Sequence, residues 1–168
     1  MEWNAFYGTM AASSATVTGL IFVAAQLRYS KFSRKPLWDA VASSTFYMYF
    51  MVFFLSLTFL IPGVGAMSKS LIILGHIGLS SYRVIRIWSP IWIRIFRDGE
   101  EGLIDLVWFL AGPFVLYSLL GYHAIRVYAG EQANSLDTNI AFILLVVMGL
   151  ALRNSWALLM EPTFQKNS

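Results

Sequence analysis

Blocks of about 20 apolar residues recur along the chain, and they constrain the fold more than any other feature of the sequence. Hydrophobic residues make up 58% of the 168 residues, charged residues make up only 12%, and the mean hydropathy is +0.64. A helix of about 20 residues crosses the roughly 30 Å hydrocarbon core of a bilayer. It also satisfies its backbone hydrogen bonds internally, as hydrocarbon requires. The sequence therefore predicts an all-α, multi-pass integral membrane protein.

Short polar breaks divide the chain into five predicted spans within a single membrane domain, 1–168. The breaks are a cationic loop after the first span, Pro62-Gly63, the polar residues 98–102, and a polar loop at 128–137. None of them is long enough to form a soluble domain. The spans are predicted at residues 5–27, 37–61, 66–88, 103–127 and 138–160.

The distribution of Lys and Arg predicts the orientation, because cytoplasmic loops are enriched in these residues. One cationic cluster, Arg28, Lys31, Arg34 and Lys35, follows the first span, and a second lies in the segment 83–97 after the third span. If both clusters are cytoplasmic, five spans place the amino terminus outside and the carboxyl terminus inside.

The segment 83–97 reads almost the same in both directions around Pro90. We expect Pro90 to turn the chain out of the third helix, because proline disrupts a helix interior. The turned segment is expected to lie on the cytoplasmic membrane surface, where Trp favours the headgroup region and Arg contacts anionic lipid phosphates. A cytoplasmic or membrane protein partner is the alternative occupant of this surface. The residues assigned to headgroups or a partner are Arg83, Arg86, Trp88, Trp92, Arg94 and Arg97.

The first span is unusually rich in small residues and hydroxyl groups. Such a stripe is typical of close helix packing in membranes, and the packing partner is expected to be either a neighbouring helix of the same bundle or another subunit. In an oligomer the hydroxyl groups are also able to line a water-filled path. The small-residue stripe comprises Gly8, Thr9, Ala12, Ser13, Ala15, Thr16 and Gly19.

The first span also carries a family resemblance. The stretch Phe6-Tyr-Gly-Thr-Met-Ala-Ala-Ser-Ser-Ala-Thr-Val-Thr-Gly-Leu-Ile-Phe-Val-Ala24 resembles the first helix of a family of small bacterial integral membrane proteins with no assigned activity. Those proteins open with a Phe-Tyr pair, an Ala-rich run and then Gly-Leu-Leu-Phe-Val-Ala. The resemblance covers one span and implies a bacterial plasma (inner) membrane. It implies no functional residues.

His76 is expected to lie at membrane depth, between Gly75 and Gly78. An ionisable residue at that depth is a candidate functional residue. One interpretation is a neutral imidazole that hydrogen-bonds a neighbouring helix, with the glycines allowing close contact. The other is a proton relay, for which the usual pKa of His is suited.

Arg153 and Asn154 lie in the inner half of the fifth span. An Arg near the centre of a membrane helix costs roughly 2.5–3.5 kcal/mol, so Arg153 needs a partner or access to the surface. We expect it to pair with Asp105 of the antiparallel fourth span, to reach lipid phosphates, or to line an anion-favouring pore in an oligomer. Pro113 is expected to kink the fourth span, either as fixed shape or as a gate hinge.

Several kinds of chemistry are excluded by what the sequence lacks. The chain has no Cys, hence no disulfide, thiolate metal site or Cys nucleophile. It also lacks metal-ligand spacing and a phosphate-binding glycine loop. We therefore expect no enzyme activity, no cofactor and no metal. The net charge of +3 is explained by topology, so we expect no nucleic-acid partner.

The predicted function is that of a small homo-oligomeric membrane protein that forms a pore or ion-conducting channel. Five helices of one chain hardly enclose a path alone, which favours an oligomer in the lipid bilayer. The first alternative is a membrane-embedded partner or scaffold subunit without transport activity. The second is proton-coupled transport involving His76.

Overall fold

A computed structural model describes residues 2–28, 36–98, 103–130 and 136–164, with side chains for residues 3–24, 40–86, 88–89, 111–130 and 137–158. Over these ranges the chain forms five α-helices and no strand. The helices are α1 (Glu2–Arg28), α2 (Pro36–Leu60), α3 (Ala66–Asp98), α4 (Leu103–Tyr128) and α5 (Leu136–Phe164). The predicted all-α fold is confirmed.

Three of the described helices are long and apolar enough to cross a membrane. The spanning stretches are Trp3–Ala24 in α1, Ala40–Leu60 in α2 and Asp137–Leu158 in α5. This agrees with the prediction of a membrane protein with transmembrane helices. Helix α2 begins with Pro36. Proline suits this position, because a backbone N–H group at the start of a helix has no acceptor within the helix and proline has no such group.

Helix α3 differs from the prediction. It is the most amphipathic and least apolar of the five described helices, and it extends unbroken through Pro90 for 33 residues in total. The predicted turn at Pro90, into a separate surface segment, is therefore wrong. Proline removes one helical hydrogen bond and favours a kink, but a helix often continues beyond it. At helical rise α3 is about 50 Å long, more than the hydrocarbon thickness.

The helices pack around a centre formed by α2 and α5. Helix α1 packs mainly on α2, α3 packs mainly on α4, and α2 and α5 join these two pairs. Fully buried side chains from four helices fill the core, among them Met51, Leu55, Ile73, Leu120 and Leu144. Only 22% of the spanning stretch of α1 is buried, against 56% for α2 and 50% for α5. Helix α1 is thus a peripheral helix.

Contacts between helix ends show that consecutive helices are antiparallel. Tyr7 near the start of α1 stacks on Phe59 near the end of α2, and Trp88 late in α3 hydrogen-bonds Ser44 early in α2. We call the two ends of the bundle the amino end and the carboxy end. The amino end contains Tyr7, Phe59, Lys69 and Asp137, and the carboxy end contains Ser44, Tyr47, Arg83, Trp88 and Ser155.

Candidate functional sites

The small-residue stripe of α1 lies away from the core. The buried face of α1 is formed by Tyr7, Met10, Ala11 and Ser14, which follow helical spacing. Within the stripe, Gly8 and Ser13 are half-buried, and the others are exposed: Thr9, Ala12, Ala15, Thr16 and Gly19. We call these five exposed residues the outer face of α1.

The two glycines of the stripe have open space beside them. A Cβ atom added at Gly8 or Gly19 would meet nothing within 4 Å. The stripe therefore does not serve close packing inside the bundle at these positions, which was one of its two interpretations.

The threonines of α1 bond to their own helix. The Oγ1 atoms of Thr9 and Thr16 donate to the carbonyls of Ala5 and Ala12 at 2.9 and 2.8 Å. Thr18 donates to the carbonyl of Ser14 at 2.6 Å. Such back-bonding satisfies a hydroxyl group without any neighbour. The outer face of α1 is consequently compatible with lipid, with another helix or with water.

An apolar groove of about 440 Å³ lies beside this face, between α1 and α2. Three small residues and one Phe line it from α1, and three Phe rings line it from α2. Its lining residues are Ala15, Thr18, Gly19, Phe22, Phe46, Phe50 and Phe53. The groove extends the outer face of α1 sideways with apolar surface.

The amino end is held by one cluster that joins four helices. The hydroxyl group of Tyr7 donates to the carbonyl of Asp137 at 2.7 Å, and the Tyr7 ring stacks on Phe59 with centroids 4.7 Å apart. The Nζ atom of Lys69 lies 3.4 Å from Oδ1 of Asp137 and 4.5 Å from the centroid of Phe59. The sequence did not predict this cluster. Its one available signal was that Lys69 and Asp137, of opposite charge, both fall on the predicted outer side.

Trp88 ties α3 to α2 at the carboxy end. Its Nε1 atom donates to Oγ of Ser44 at 2.9 Å, and the residue is only 2% exposed. The prediction that Trp88 anchors at lipid headgroups is therefore wrong, because its ring is enclosed by protein.

Arg83 lies on the surface of the same end and contacts Tyr47 twice. Its guanidinium donates to the Tyr47 hydroxyl and lies 5.1 Å from the ring centroid, within cation–π range. Arg86 is also exposed. Trp92, Arg94 and Arg97 belong to helix α3, but their side chains lie outside the described residues. Their assignment to headgroups or a partner stays a prediction.

Asn154 is buried at the carboxy end of α5. It is 1% exposed, its Nδ2 atom lies 3.9 Å from Sδ of Met48, and its Oδ1 atom accepts from Arg153 at 3.5 Å. The side chain of Asp105 lies outside the described residues, so its pairing with Arg153 stays a prediction.

A second buried hydrogen bond joins α2 and α5 close to Asn154. The Oγ atom of Ser155 donates to the carbonyl of Ala151, and it accepts from the Tyr49 hydroxyl at 3.0 Å. Neither of these contacts was predicted.

His76 is half-buried on α3, with its ring centroid 6.4 Å from that of Phe54. Its neighbours Gly75 and Gly78 face open space. Among the described residues it has no hydrogen-bond partner on another helix, contrary to the first interpretation of this residue. The histidine that does bridge two helices is His123, whose Nδ1 atom lies 3.4 Å from Nδ2 of Asn139.

Pro113 is buried within α4, which is helical on both sides of it. Beside it, a Cβ atom on Gly112 would lie 2.8 Å from Cδ2 of Leu150. This is the place where α4 and α5 approach closely, and glycine permits the approach. A hinge at Pro113 stays a prediction.

Comparisons with protein-family models, with curated proteins and with solved structures find no match for this chain. Within the described part of the chain, no three His, Asp or Glu residues lie together so as to hold a metal ion.

Proposed function

We propose that this chain is a five-span protein of a bacterial plasma membrane, with its amino terminus outside and its carboxyl terminus inside. In this proposal it assembles into a homo-oligomer through the outer face of α1, and the oligomer provides an ion-conducting path. The observation that carries the proposal is the outward orientation of the small-residue stripe on a peripheral, apolar helix.

The outer face of α1 suits another copy of the chain better than lipid. Lipid tails surround large and small side chains alike, whereas small residues let two helix backbones approach closely and gain packing contacts. Inside the bundle, no helix packs closely against Gly8 or Gly19, because open space lies beside both glycines. The neighbouring groove offers further apolar surface for a second copy.

A conducting path between copies is favoured over one through a single copy. The described core is filled by large side chains that are fully buried, including Met48, Met51 and Trp88. Thr9 and Thr16 lie on the outer face, and their hydroxyl groups are satisfied by their own helix. Hydroxyl groups of this kind tolerate a dry interface and also hydrate a narrow pore.

Disulfide crosslinking tests the assembly directly, because the natural chain contains no Cys. Ala12→Cys and Ala15→Cys place a thiol on the outer face of α1. Leu145→Cys is the matched control, since Leu145 is 51% exposed on α5 and lies at a similar depth. Mild oxidation in membranes is expected to give dimers from the two α1 variants and few from the control. Equal crosslinking of all three, or a protein that stays monomeric in membranes, contradicts the proposed interface.

Ion flux into vesicles tests the second half of the proposal. Vesicles containing the whole chain are expected to leak ions, and Thr16→Val is expected to reduce the leak because it removes a hydroxyl at nearly constant volume. Thr58→Val is the control, since Thr58 is buried and bonds to its own helix at Phe54. Crosslinking through α1 without any leak contradicts conduction and leaves the scaffold subunit as the function to pursue.

A further inference from the structure

We propose that Tyr47, Arg83 and Arg86 form a binding site for the phosphodiester of an anionic phospholipid at the carboxy end of the bundle. The acyl chains of that lipid lie along the surface where α2 and α3 meet. This inference is independent of oligomerisation and conduction, and depends only on membrane insertion.

Arg83 is held in place for such a ligand. One N–H group of Arg83 donates to the Tyr47 hydroxyl, and the guanidinium lies over the Tyr47 ring. A guanidinium carries five donors in a planar fork, so donors remain for a phosphate. Because Tyr47 orients the guanidinium beforehand, little side-chain entropy remains to be lost on binding.

Arg86 adds a second positive charge beside the first. Residues three apart on a helix are neighbours on one face, with Cβ atoms about 5–6 Å apart. Arg86 is exposed and makes no hydrogen bond or ion pair with a described residue. Two adjacent guanidinium groups match a phosphodiester, which presents two non-bridging oxygens that share one negative charge.

No described carboxylate compensates these two charges. Asp137 is the only acidic residue among the described side chains, and it lies at the amino end in contact with Lys69. The positive charge at the carboxy end therefore favours an anion from outside the described part of the protein.

The surface leading from Arg83 toward the amino end is apolar and open. On α3, Leu79 is 55% exposed and Gly75 adjoins open space. On α2, Phe54 is 49% exposed, and its ring lies beside that of His76 on α3. The distance along α3 from Arg83 to Gly75 is about 12 Å, close to the roughly 15 Å depth of one leaflet's hydrocarbon. An apolar wall of this length below a cationic head suits a lipid rather than a free anion.

Lipid binding to the purified whole chain tests the site. The protein in neutral detergent is titrated with phosphatidylglycerol or with phosphatidylcholine, and bound lipids are counted by native mass spectrometry. The double variant Arg83→Gln/Arg86→Gln is expected to bind phosphatidylglycerol about thirtyfold more weakly, because it removes two surface cations and each contributes about 1 kcal/mol toward anionic lipid. Phosphatidylcholine binding is expected to stay unchanged.

Arg126→Gln is the matched control. Its guanidinium lies 5.6 Å from the ring of Tyr122 at the other end of the bundle, so it reproduces the Arg–Tyr contact away from the site. Tyr47→Phe keeps the ring, loses the hydroxyl, and is expected to weaken phosphatidylglycerol binding by a smaller factor than the double variant.

Three results would overturn the proposal. One is an unchanged affinity for phosphatidylglycerol in the double variant. Another is an equal loss in the Arg126 control, which would mean general electrostatic attraction. The third is displacement of the lipid by millimolar inorganic phosphate, which would assign the site to a soluble anion.

Discussion

The two ends of the bundle use their charged residues in opposite ways. At the amino end one cation and one anion contact each other, and together with Tyr7 and Phe59 they join four helices. At the carboxy end the described arginines point to the surface, and the helices are joined by neutral groups such as Trp88 and Ser44. The comparison shows that an ion pair joins helices at the amino end, whereas at the carboxy end neutral groups join the helices and Arg83 and Arg86 face the surroundings.

The largest effect is expected from removing the neutral contact at the carboxy end. Trp88→Ala deletes a fully buried ring and its hydrogen bond to Ser44, so the free energy of unfolding should fall by about 3 kcal/mol. Trp156→Ala removes the same side chain from a position that is 63% exposed, and should cost far less. Detergent-induced unfolding in mixed micelles measures both. Similar losses would mean that Trp88 does not hold this end together.

The ion pair at the amino end should show an intermediate effect. Lys69→Ala and Asp137→Asn each remove one partner of a pair whose side chains are 15% and 41% exposed. A double-mutant cycle on unfolding free energies should give a coupling of about 1 kcal/mol. Tyr7→Phe, which removes only the hydrogen bond to Asp137, should lose a similar amount. A coupling near zero would remove the distinction between the two ends.

Two glycines of α4 should differ by a smaller amount. Gly112→Ala places a methyl group 2.8 Å from the end of the Leu150 side chain, whereas Gly121→Ala places one at an ordinary 3.6 Å from Ile77. The first change should cost less than about 1 kcal/mol, because Leu150 must move. The second should be neutral or slightly stabilising, since Ala favours helix over Gly. The same unfolding assay ranks them, and a reversed order would contradict the close approach of α4 and α5.

The smallest effect is expected at Arg86. It is exposed and has no described partner, so Arg86→Gln should change the free energy of unfolding by less than about 0.5 kcal/mol in neutral detergent. Its effect should appear only when anionic lipid is added. A large loss of unfolding free energy without lipid would mean that charge stabilises the carboxy end as it does the amino end.

Helix positions followed from the sequence with good accuracy wherever hydropathy alone decides them. The bounds of α2 and α4 differ from the predicted spans by no more than one residue at either end. Helix α3 was predicted too short, because its arginines and Pro90 resemble a helix end. Continuity through proline depends on local packing around the helix, which hydropathy does not report.

The residues that meet across the bundle could not be predicted in the same way. Helices α1, α2 and α5 are apolar around most of their circumference, so no periodic pattern marks the face that turns inward. Tyr7 and Asp137 are 130 positions apart, and only the three-dimensional arrangement brings them together. The inward face of α1 contains Tyr7 and Met10, whereas the small residues that predicted a packing surface lie on the opposite face.

The self-bonded threonines of α1 bear on how the protein is made. Thr9, Thr16 and Thr18 each donate to a carbonyl one turn earlier in the same helix. These three hydroxyl groups are therefore hydrogen-bonded in hydrocarbon without any contact to another helix. Helix α1 is thus able to enter hydrocarbon before the helices that follow it in the chain have packed against it. Its packing against the helices that follow it in the chain is then a separate step of biogenesis.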